Sequence, residues 1–279
     1  MSHVPDRAAL DAIHPFDAAA QRARAVVAQA ADGDAILLLR FLGRFISWNA
    51  GFGAGVAGLA AKIGRSRSLF LDPDEPLAAI ADRSMHVASY FFDAARDEYD
   101  DGATPHRDAH RTLAQAVLKG VIQHHAIPHD AAAEALRAPL WQVGLEDRTQ
   151  LGYGLGSPDE LPSIFRAMGF HLGSEVLADQ EFSAIDDTLR ERRPALVQAL
   201  LRARVQVADH AHPAWYWIGI HSGHDGGVEA DHFEWAVQGV REAFRYTRPA
   251  DHAYLREQVL AGYAEFARCH AELFERVLT

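Results

Sequence analysis

Apolar residues recur every three or four positions along most of this 279-residue chain, which is the spacing of one face of an α-helix. In the stretch Asp34–Trp48, for example, Phe41 and Phe45 lie on one side and Arg40 and Arg44 on the other. No run of Val, Ile and Thr alternates with polar residues at period two, so no sheet is predicted. The sequence therefore predicts an all-α fold.

Proline and glycine residues divide the chain into about seven to nine predicted helices in one domain, residues 1–279. Residues 1–20 are a candidate disordered segment, residues 80–245 form the approximate ligand-bearing core, and Gly144–Pro162 is expected to be a loop. The predicted helices that follow Pro76 are Leu77–Tyr99, His106–His124, Asp130–Arg137, Ser163–Ile185, Pro194–Asp209, Ala214–Tyr246 with an interruption at Gly226-Gly227, and Pro249–Leu278.

The charge and cysteine counts exclude several functional classes. The chain has 27 Lys and Arg against 38 Asp and Glu, a net charge of −11, which argues against nucleic acid as a partner. Its single cysteine, Cys269, excludes a disulfide framework and a thiolate metal site and fits a reducing cytoplasm. The longest uncharged run, Phe45–Ala61, is too short for a membrane span, which needs about 20 apolar residues. We therefore expect a soluble cytoplasmic protein with no membrane partner.

Gly53, Gly55 and Gly58 match the G-x-G-x-x-G pattern of dinucleotide-binding loops. That fingerprint needs a preceding strand, because the pyrophosphate binds at a helix that follows a strand and a tight turn. The preceding stretch has helical periodicity instead. The three glycines are therefore interpreted as part of a helix that packs closely against a neighbour.

Histidine and carboxylate residues with metal-ligand spacing occur in three places. In the first, Asp97 and Glu98 end one predicted helix, and His106 and His110 follow at the start of the next. A Glu at the end of one helix and a His near the start of its antiparallel partner can face each other across a bundle. Such oxygen and nitrogen ligands suit Fe(II), Mn or Zn. The alternative is a solvated acidic helix end with surface histidines.

The second place is Glu175, a carboxylate in a predicted helix that is otherwise rich in small and apolar residues. His171 lies four positions before it, on the same helix face. If Glu175 is functional, it would bind metal together with residues of the other two places. The alternative is that it is an ordinary surface acid.

The third place follows an aromatic stretch that includes Trp217. Glu229 and His232 have the i, i+3 spacing by which diiron bundles direct a carboxylate and an imidazole to one metal. His221 and Asp225 are i, i+4 and also share a helix face. Burying so many ionisable groups without a cation would be costly, which makes this place the strongest of the three. A satisfied polar network in the core is the alternative.

Helix geometry leaves the ligands of this third place open. On an unbroken helix, His221 and His232 would lie about 16 Å apart along the axis, too far for one compact site. A break or bend at Gly226-Gly227 would bring them together. The candidate sets are therefore His221 with His232, or Asp225, Glu229 and His232, with His224 as a third possibility.

The surroundings of these motifs give weaker signals. Aromatic residues that are candidates for a dry pocket wall, or else plain core, are Tyr90, Phe91, Phe92 and Trp217. No cluster of basic residues near the motifs indicates a clamp for a carboxylate or phosphate. The nearest basic residues, whose orientation the sequence does not give, are Arg83, Arg107 and Arg111.

In combination, these motifs resemble those of the haem-oxygenase-like diiron oxidases, the superfamily that includes the TenA-type thiaminases and pyrroloquinoline quinone synthase. Members have a D-E-x-x-D-G turn followed by H-x-x-L, matched by Asp97–Gly102 and His110–Leu113, and a further helix Glu, matched by Glu175. Their late helix reads H-x-x-x-D-x-x-H. His221 to Asp225 resembles its first half and Glu229 to His232 its second half, with about four extra residues between them.

The resemblance implies a haem-oxygenase-like bundle of about seven core helices, here with extra N-terminal helices, that binds two Fe(II) ions and activates O2. It implies an oxidase or oxygenase of a small molecule, with N-oxygenation of an amine or amino acid as the favoured reaction. An external electron donor and a homodimer are further expectations. The metal ligands that the resemblance implies are Glu98, His110, Glu175, His221, Glu229 and His232.

Three other functions stay open at this point. Oxidative C–C cleavage or desaturation would use the same site. A metal-free, TenA-like hydrolase or a cofactorless oxidase would use the same bundle, but a TenA-type enzyme would want a nucleophilic cysteine at the pocket, and Cys269 lies in the last predicted helix, away from every motif. A helical binding protein without activity is the third.

Overall fold

Helices dominate the structure, a computed structural model that describes residues 3–72, 80–102, 104–222 and 229–279, with the backbone alone at residues 80–82, 179 and 229–231. The all-α fold class is therefore confirmed. The helices are α1 (Arg7–Asp11), α2 (Phe16–Asp32), α3 (Ala35–Asn49), α4 (Phe52–Arg65), α5 (Ile80–Tyr99), α6 (His110–His124), α7 (His129–Ala135), α8 (Leu140–Gly152), α9 (Leu161–Arg192), α10 (Pro194–Arg202), α11 (Tyr216–His221), α12 (Glu229–Arg245) and α13 (His252–Arg276), with a 3-10 turn at Pro249–Asp251.

The helical elements outnumber the seven to nine that were predicted. Short helices such as α1, α7 and α11 carry too few turns to produce a clear apolar period in the sequence. The stretch interpreted above as a candidate disordered segment includes α1, and its Leu10 is fully buried. Among the described residues, none of the helices combines the length and the apolar character that crossing a membrane requires.

The 32-residue helix α9 lies at the centre of the bundle and packs against α2, α4, α12 and α13. Helices α9 and α13 approach each other closely because each has a glycine that faces the backbone of the other. A Cβ atom on Gly169 would overlap the carbonyl oxygen of Val259, and one on Gly262 would overlap that of Arg166. Only glycine fits such an approach, which brings the two longest helices of the described chain into direct backbone contact.

The G-x-G-x-x-G sequence lies inside α4, directly after helix α3, and no strand precedes it in residues 3–51, which the structure describes. A Cβ atom on Gly53 would lie 2.9 Å from Cβ of Glu98 in α5, and one on Gly55 would overlap the ring of Tyr153. The prediction of a close-packed helix is confirmed. The small residues of α4 allow α5 and Tyr153 to approach it.

Two short antiparallel strands, β1 (Arg204–Val207) and β2 (His210–Pro213), contradict the prediction of no sheet, and α10 ends at Arg202 rather than at Asp209. Val205 pairs with His212, and Val207 pairs with His210. The strands are only four residues long. Ala208 adopts a φ of 49° in the turn, where Gly, Asn or Asp would have signalled a hairpin.

The predicted loop Gly144–Pro162 is also wrong in its first half, because α8 runs from Leu140 to Gly152. Glycine inside a helix costs only about 1 kcal/mol relative to alanine, and Gly152 faces the ring of Phe170 closely enough that a Cβ atom would overlap it. The turn that follows uses Gly154 and Gly156 at φ values of 88° and 73°.

The third motif of the sequence analysis spans two helices, α11 and α12. Gly226-Gly227, His224 and Asp225, on which the ligand alternatives depended, lie outside the described residues. Separate helices remove the geometric objection to His221 and His232 sharing one site, because the two residues no longer follow a single axis.

Candidate metal centre

Five of the six predicted ligands line a single, partly open cavity of about 200 Å³. Helices α5, α6, α9, α11 and α12 each contribute one of them. The side chain of the sixth, Glu229, lies outside the described part of the structure, although its backbone begins α12. The five that converge are Glu98, His110, Glu175, His221 and His232.

The tightest part of the cluster is the trio Glu98, His110 and His221, whose ligand atoms lie within 4.8 Å of one another. Nδ1 of His110 is 3.3 Å from Oε1 of Glu98. The rings of His110 and His221 meet edge to face with centroids 4.7 Å apart. Both histidines are only 3% exposed, so the trio brings two imidazoles and one carboxylate together in the protein interior.

The second part of the cluster is a chain of paired groups beside the trio. Nε2 of His232 donates a hydrogen bond to Oδ2 of Asp97 at 3.0 Å, and its Nδ1 is 3.7 Å from Oε2 of Glu175. Oε1 of Glu175 is in turn 3.3 Å from Nδ1 of His171. Asp97 joins the two parts, since its Oδ2 is also 3.6 Å from Nε2 of His110. Among the described residues, only the trio has three ligand atoms that are all mutually close.

Two residues of the cluster, Asp97 and His171, are not among the predicted ligands. Asp97 is adjacent to Glu98, and consecutive helical residues point about 100° apart, so they do not usually face the same partner. The end of α5 nevertheless brings both carboxylates to His110. His171 was visible as the i−4 neighbour of Glu175, and this spacing was the signal that could have identified it.

Burial and mutual charge set the protonation states of the cluster. Burial would raise the pKa of Glu98, but the adjacent His110 outweighs it and the pKa is lowered. In Asp97, too, burial acts to raise the pKa, whereas the hydrogen bond from His232 and the nearby histidines lower it. In Glu175 burial prevails, helped by the charges of Glu98 and Asp97 against the opposing His232, and raises the pKa to about 7.

Two histidines of the cluster are held neutral. Burial, with a smaller contribution from His232, lowers the pKa of His171 to about 3. Burial and the proximity of His110 lower the pKa of His221 to about 3 as well. A neutral imidazole keeps a lone pair on one ring nitrogen, which is the form that binds a metal ion.

His221 is oriented by its own helix. Its Nδ1 donates to the backbone carbonyl of Trp217 at 2.7 Å, and because a carbonyl only accepts, Nε2 carries the lone pair. Phe182 stacks on the ring with centroids 4.5 Å apart. The backbone contact therefore fixes both the tautomer and the direction of the free nitrogen.

A buried carboxylate holds both ends of α11. Asp186, with no exposed surface, accepts from Nε1 of Trp215 at 2.9 Å just before the helix and from Oγ of Ser222 at 2.8 Å just after it. Nε of Arg190 donates to the same carboxylate at 2.7 Å. Because α11 is only six residues long, these bonds determine where His221 lies.

The aromatic wall differs in part from the expectation. Trp217 lines the cavity, and Phe91 packs against His171 with centroids 5.5 Å apart. Phe92 is 59% exposed and faces away from the core. Tyr153, which was not predicted, lines the cavity, and its hydroxyl forms a hydrogen bond of 2.9 Å with Oγ of Ser174.

Cys269 lies on α13, and no cysteine is found among the described residues that line the cavity. Burial raises the pKa of its thiol, with smaller opposing effects from Arg148. A buried thiol with a raised pKa is a weak nucleophile. The cavity therefore does not contain the nucleophile that a TenA-type hydrolase would need.

Comparisons of the chain with models of protein families, with curated protein sequences and with solved structures find no match. The likeness to haem-oxygenase-like diiron oxidases therefore depends on the spaced motifs of the sequence. The function proposed below is supported by these motifs and by the geometry of the cavity.

Proposed function

We propose that this protein is a nonhaem diiron oxidase or oxygenase with a haem-oxygenase-like bundle, acting with O2 on a small molecule. The observation that carries the proposal is the convergence of Glu98, His110, Glu175, His221 and His232 on one cavity. These residues come from three separate parts of the sequence, and they were predicted from spacing, from the apolar surroundings of Glu175 and from the family resemblance. N-oxygenation of an amine or amino acid is the favoured reaction, and C–C cleavage or desaturation at the same site is the alternative.

The donor set fits iron. Two imidazoles and one carboxylate, as in the trio, are the ligands that nonhaem Fe(II) oxygenases use. Asp97, Glu175 and His232 would hold the second iron, with Glu229 as a further ligand from the start of α12. His171 lies beside these ligands, and its Nε2 is buried without a hydrogen-bond partner among the described residues. Cations would offset the cost of burying three carboxylates together.

The chain itself supplies orientation and a dry environment. Irons bound there would supply, with O2, the oxidising power that no side chain provides. Trp217 and Phe182 cover His221 and keep water from that side of the cavity. Glu175, with a pKa near 7, can hold a proton on a carboxylate oxygen at neutral pH in the metal-free protein, and it would release that proton to water when a cation binds.

Anaerobic titration with Fe(II) tests this function. We expect wild-type protein to bind about two irons per chain and to give a transient visible absorption when O2 is added. His232→Ala should lose at least one iron. His129→Ala is the matched control, because the side chain of His129 is 95% exposed and remote from the cavity.

The possible outcomes separate the candidate functions. Two irons and an O2-dependent absorption support a diiron enzyme, whereas one iron would indicate that only the trio binds. No uptake by the wild type would refute the proposal. Equal stoichiometry in His232→Ala and His129→Ala would refute the ligand assignment alone.

A further inference from the structure

Arg111 lies on the wall of the candidate metal cavity. It is the second residue of α6 and directly follows His110. In the described lining it is the only lysine or arginine, on a wall that also carries Glu98 and Glu175. Arg111 is also exposed to solvent, so a positively charged residue lies where the cavity meets the surface, next to the site of the proposed chemistry.

Arg83 and Arg107 are paired with acids, whereas Arg111 has no acidic partner among the described residues. Arg83 is 2.9 Å from Asp72, and Arg107 is 3.7 Å from Asp100. Arg111 forms no ion pair with any residue in the part of the chain that the structure describes, although acids exceed bases in the sequence by 38 to 27. Its guanidinium thus keeps its donors available to a ligand, and a guanidinium binds a carboxylate through two parallel hydrogen bonds.

The rest of the wall limits the size and character of that ligand. Apolar side chains such as Ile46, Phe52, Val56 and Ala114 line the cavity between the polar groups. Its volume of about 200 Å³ is below the ~300–1,000 Å³ of sites for drug-sized ligands. One guanidinium matches one carboxylate, so the cavity suits a short molecule with a single acidic end.

We propose that Arg111 binds the carboxylate of the substrate and directs its other end towards Glu98, His110 and His221. The substrate class is then a small carboxylic acid with a short apolar body, and an amino acid that presents its amine to the metals belongs to this class. This inference rests on the proposed function for the role of the ligand, but the binding itself does not require catalysis. Two Fe(II) ions would balance the negative charge of Glu98, Asp97, Glu175 and Glu229, so the loaded site has no net negative charge that would repel an anion.

Calorimetric titration with hexanoate, and with hexanamide as the neutral comparator of equal length, tests the inference on anaerobic, Fe(II)-loaded protein. We expect wild type to bind hexanoate at least about tenfold more tightly than hexanamide, because bonds to a charged group are stronger. Arg111→Gln should remove that preference, and Arg111→Lys should keep part of it. Arg107→Gln is the matched control, because that side chain is 82% exposed and already paired with Asp100.

The same titrations on metal-free protein separate this inference from the proposed function. If the chain takes up no iron but binds hexanoate with an affinity that depends on Arg111, the carboxylate site is supported and the diiron function is refuted. Normal iron uptake with equal hexanoate affinity in wild type and Arg111→Gln would refute the carboxylate site and leave the enzyme. The inference is also contradicted if loaded wild type binds no hexanoate, or binds hexanamide equally well.

Discussion

Two regions of the core bury a histidine beside a carboxylate of α9. In one, Glu175 belongs to the metal cluster, together with residues of α5, α6, α11 and α12. In the other, Glu181 is 2.8 Å from Nε2 of His270 in α13, and both side chains are only 2% exposed. Trp48 and Phe274 pack around His270, with ring centroids 6.3 and 4.9 Å from it.

The difference between these regions shows what distinguishes a candidate site from a structural pair. Glu181 and His270 are one acid and one base in direct contact, and neither lines the cavity. The cluster has three carboxylates and several imidazoles in overlapping contacts beside the cavity. A histidine buried beside an acid is therefore not sufficient evidence of a metal ligand. Several carboxylates and imidazoles gathered around one cavity are the stronger evidence.

The largest expected effect concerns iron. His110→Ala should reduce the iron bound anaerobically from about two per chain to one or none, because it removes an imidazole that contacts carboxylates in both parts of the cluster. His270→Ala should leave the stoichiometry unchanged. Elemental analysis after gel filtration measures both variants, and equal iron content would remove the distinction between the two regions.

Stability, unlike iron binding, should depend on the pair formed by Glu181 and His270. His270→Ala should lower the free energy of unfolding by about 3–5 kcal/mol, because it leaves the Glu181 carboxylate buried without its partner. Replacing both residues, as Glu181→Met with His270→Leu, should recover most of that loss. Denaturant titration of the metal-free proteins measures it. A single variant as stable as wild type would show that the pair is not structural.

Asp186 offers a smaller, indirect test of the cluster. Asp186→Asn leaves one carbonyl oxygen where two carboxylate oxygens accept from Trp215 and Ser222 at the ends of α11. The helix, and with it His221, should therefore be held less firmly in place. We expect iron affinity at the trio to fall by about 10–100-fold, as for other groups that orient a ligand. Glu191→Gln, at an exposed position further along α9, is the control. Competition with a chelator measures the affinity, and unchanged binding would contradict the role of Asp186.

The effect that is smallest at each step of its measurement is a change in the pH dependence of stability. The pKa of His171 is about 3 in the folded protein and about 6.5 unfolded. Its contribution to stability is therefore complete above pH 6.5 and is lost as the pH falls towards 3, because only the unfolded chain takes up the proton. In metal-free His171→Gln, the slope of unfolding free energy against pH should be lower by about 1.4 kcal/mol per pH unit in this range. Equal slopes in denaturant titrations would contradict a neutral His171.

Periodicity was sufficient to predict the fold class and most of the cluster. Long helices such as α5, α9 and α13 repeat their apolar residues over many turns, so their signal is strong. His110, Glu175 and His232 could be selected because carboxylate and imidazole residues occurred at helical spacing near small or apolar neighbours. Which of these residues would meet was not evident in the sequence, since the contact between α5 and α12 depends on packing.

The failures have equally local causes. The hairpin was missed because its strands are short and Ala208 takes the turn conformation that glycine normally signals. Asp97 was missed because the sequence analysis chose one acid from a pair that the end of α5 uses together. Phe92 was selected by composition, although its position on α5 directs it to solvent.

Anomalous diffraction at the iron edge, from crystals soaked anaerobically with Fe(II), tests the central claim most directly. The account predicts one peak in contact with Glu98, His110 and His221 and a second beside Asp97, Glu175 and His232, with none at Glu181 and His270. Iron bound only at surface histidines, or no peak in the cavity, would contradict it.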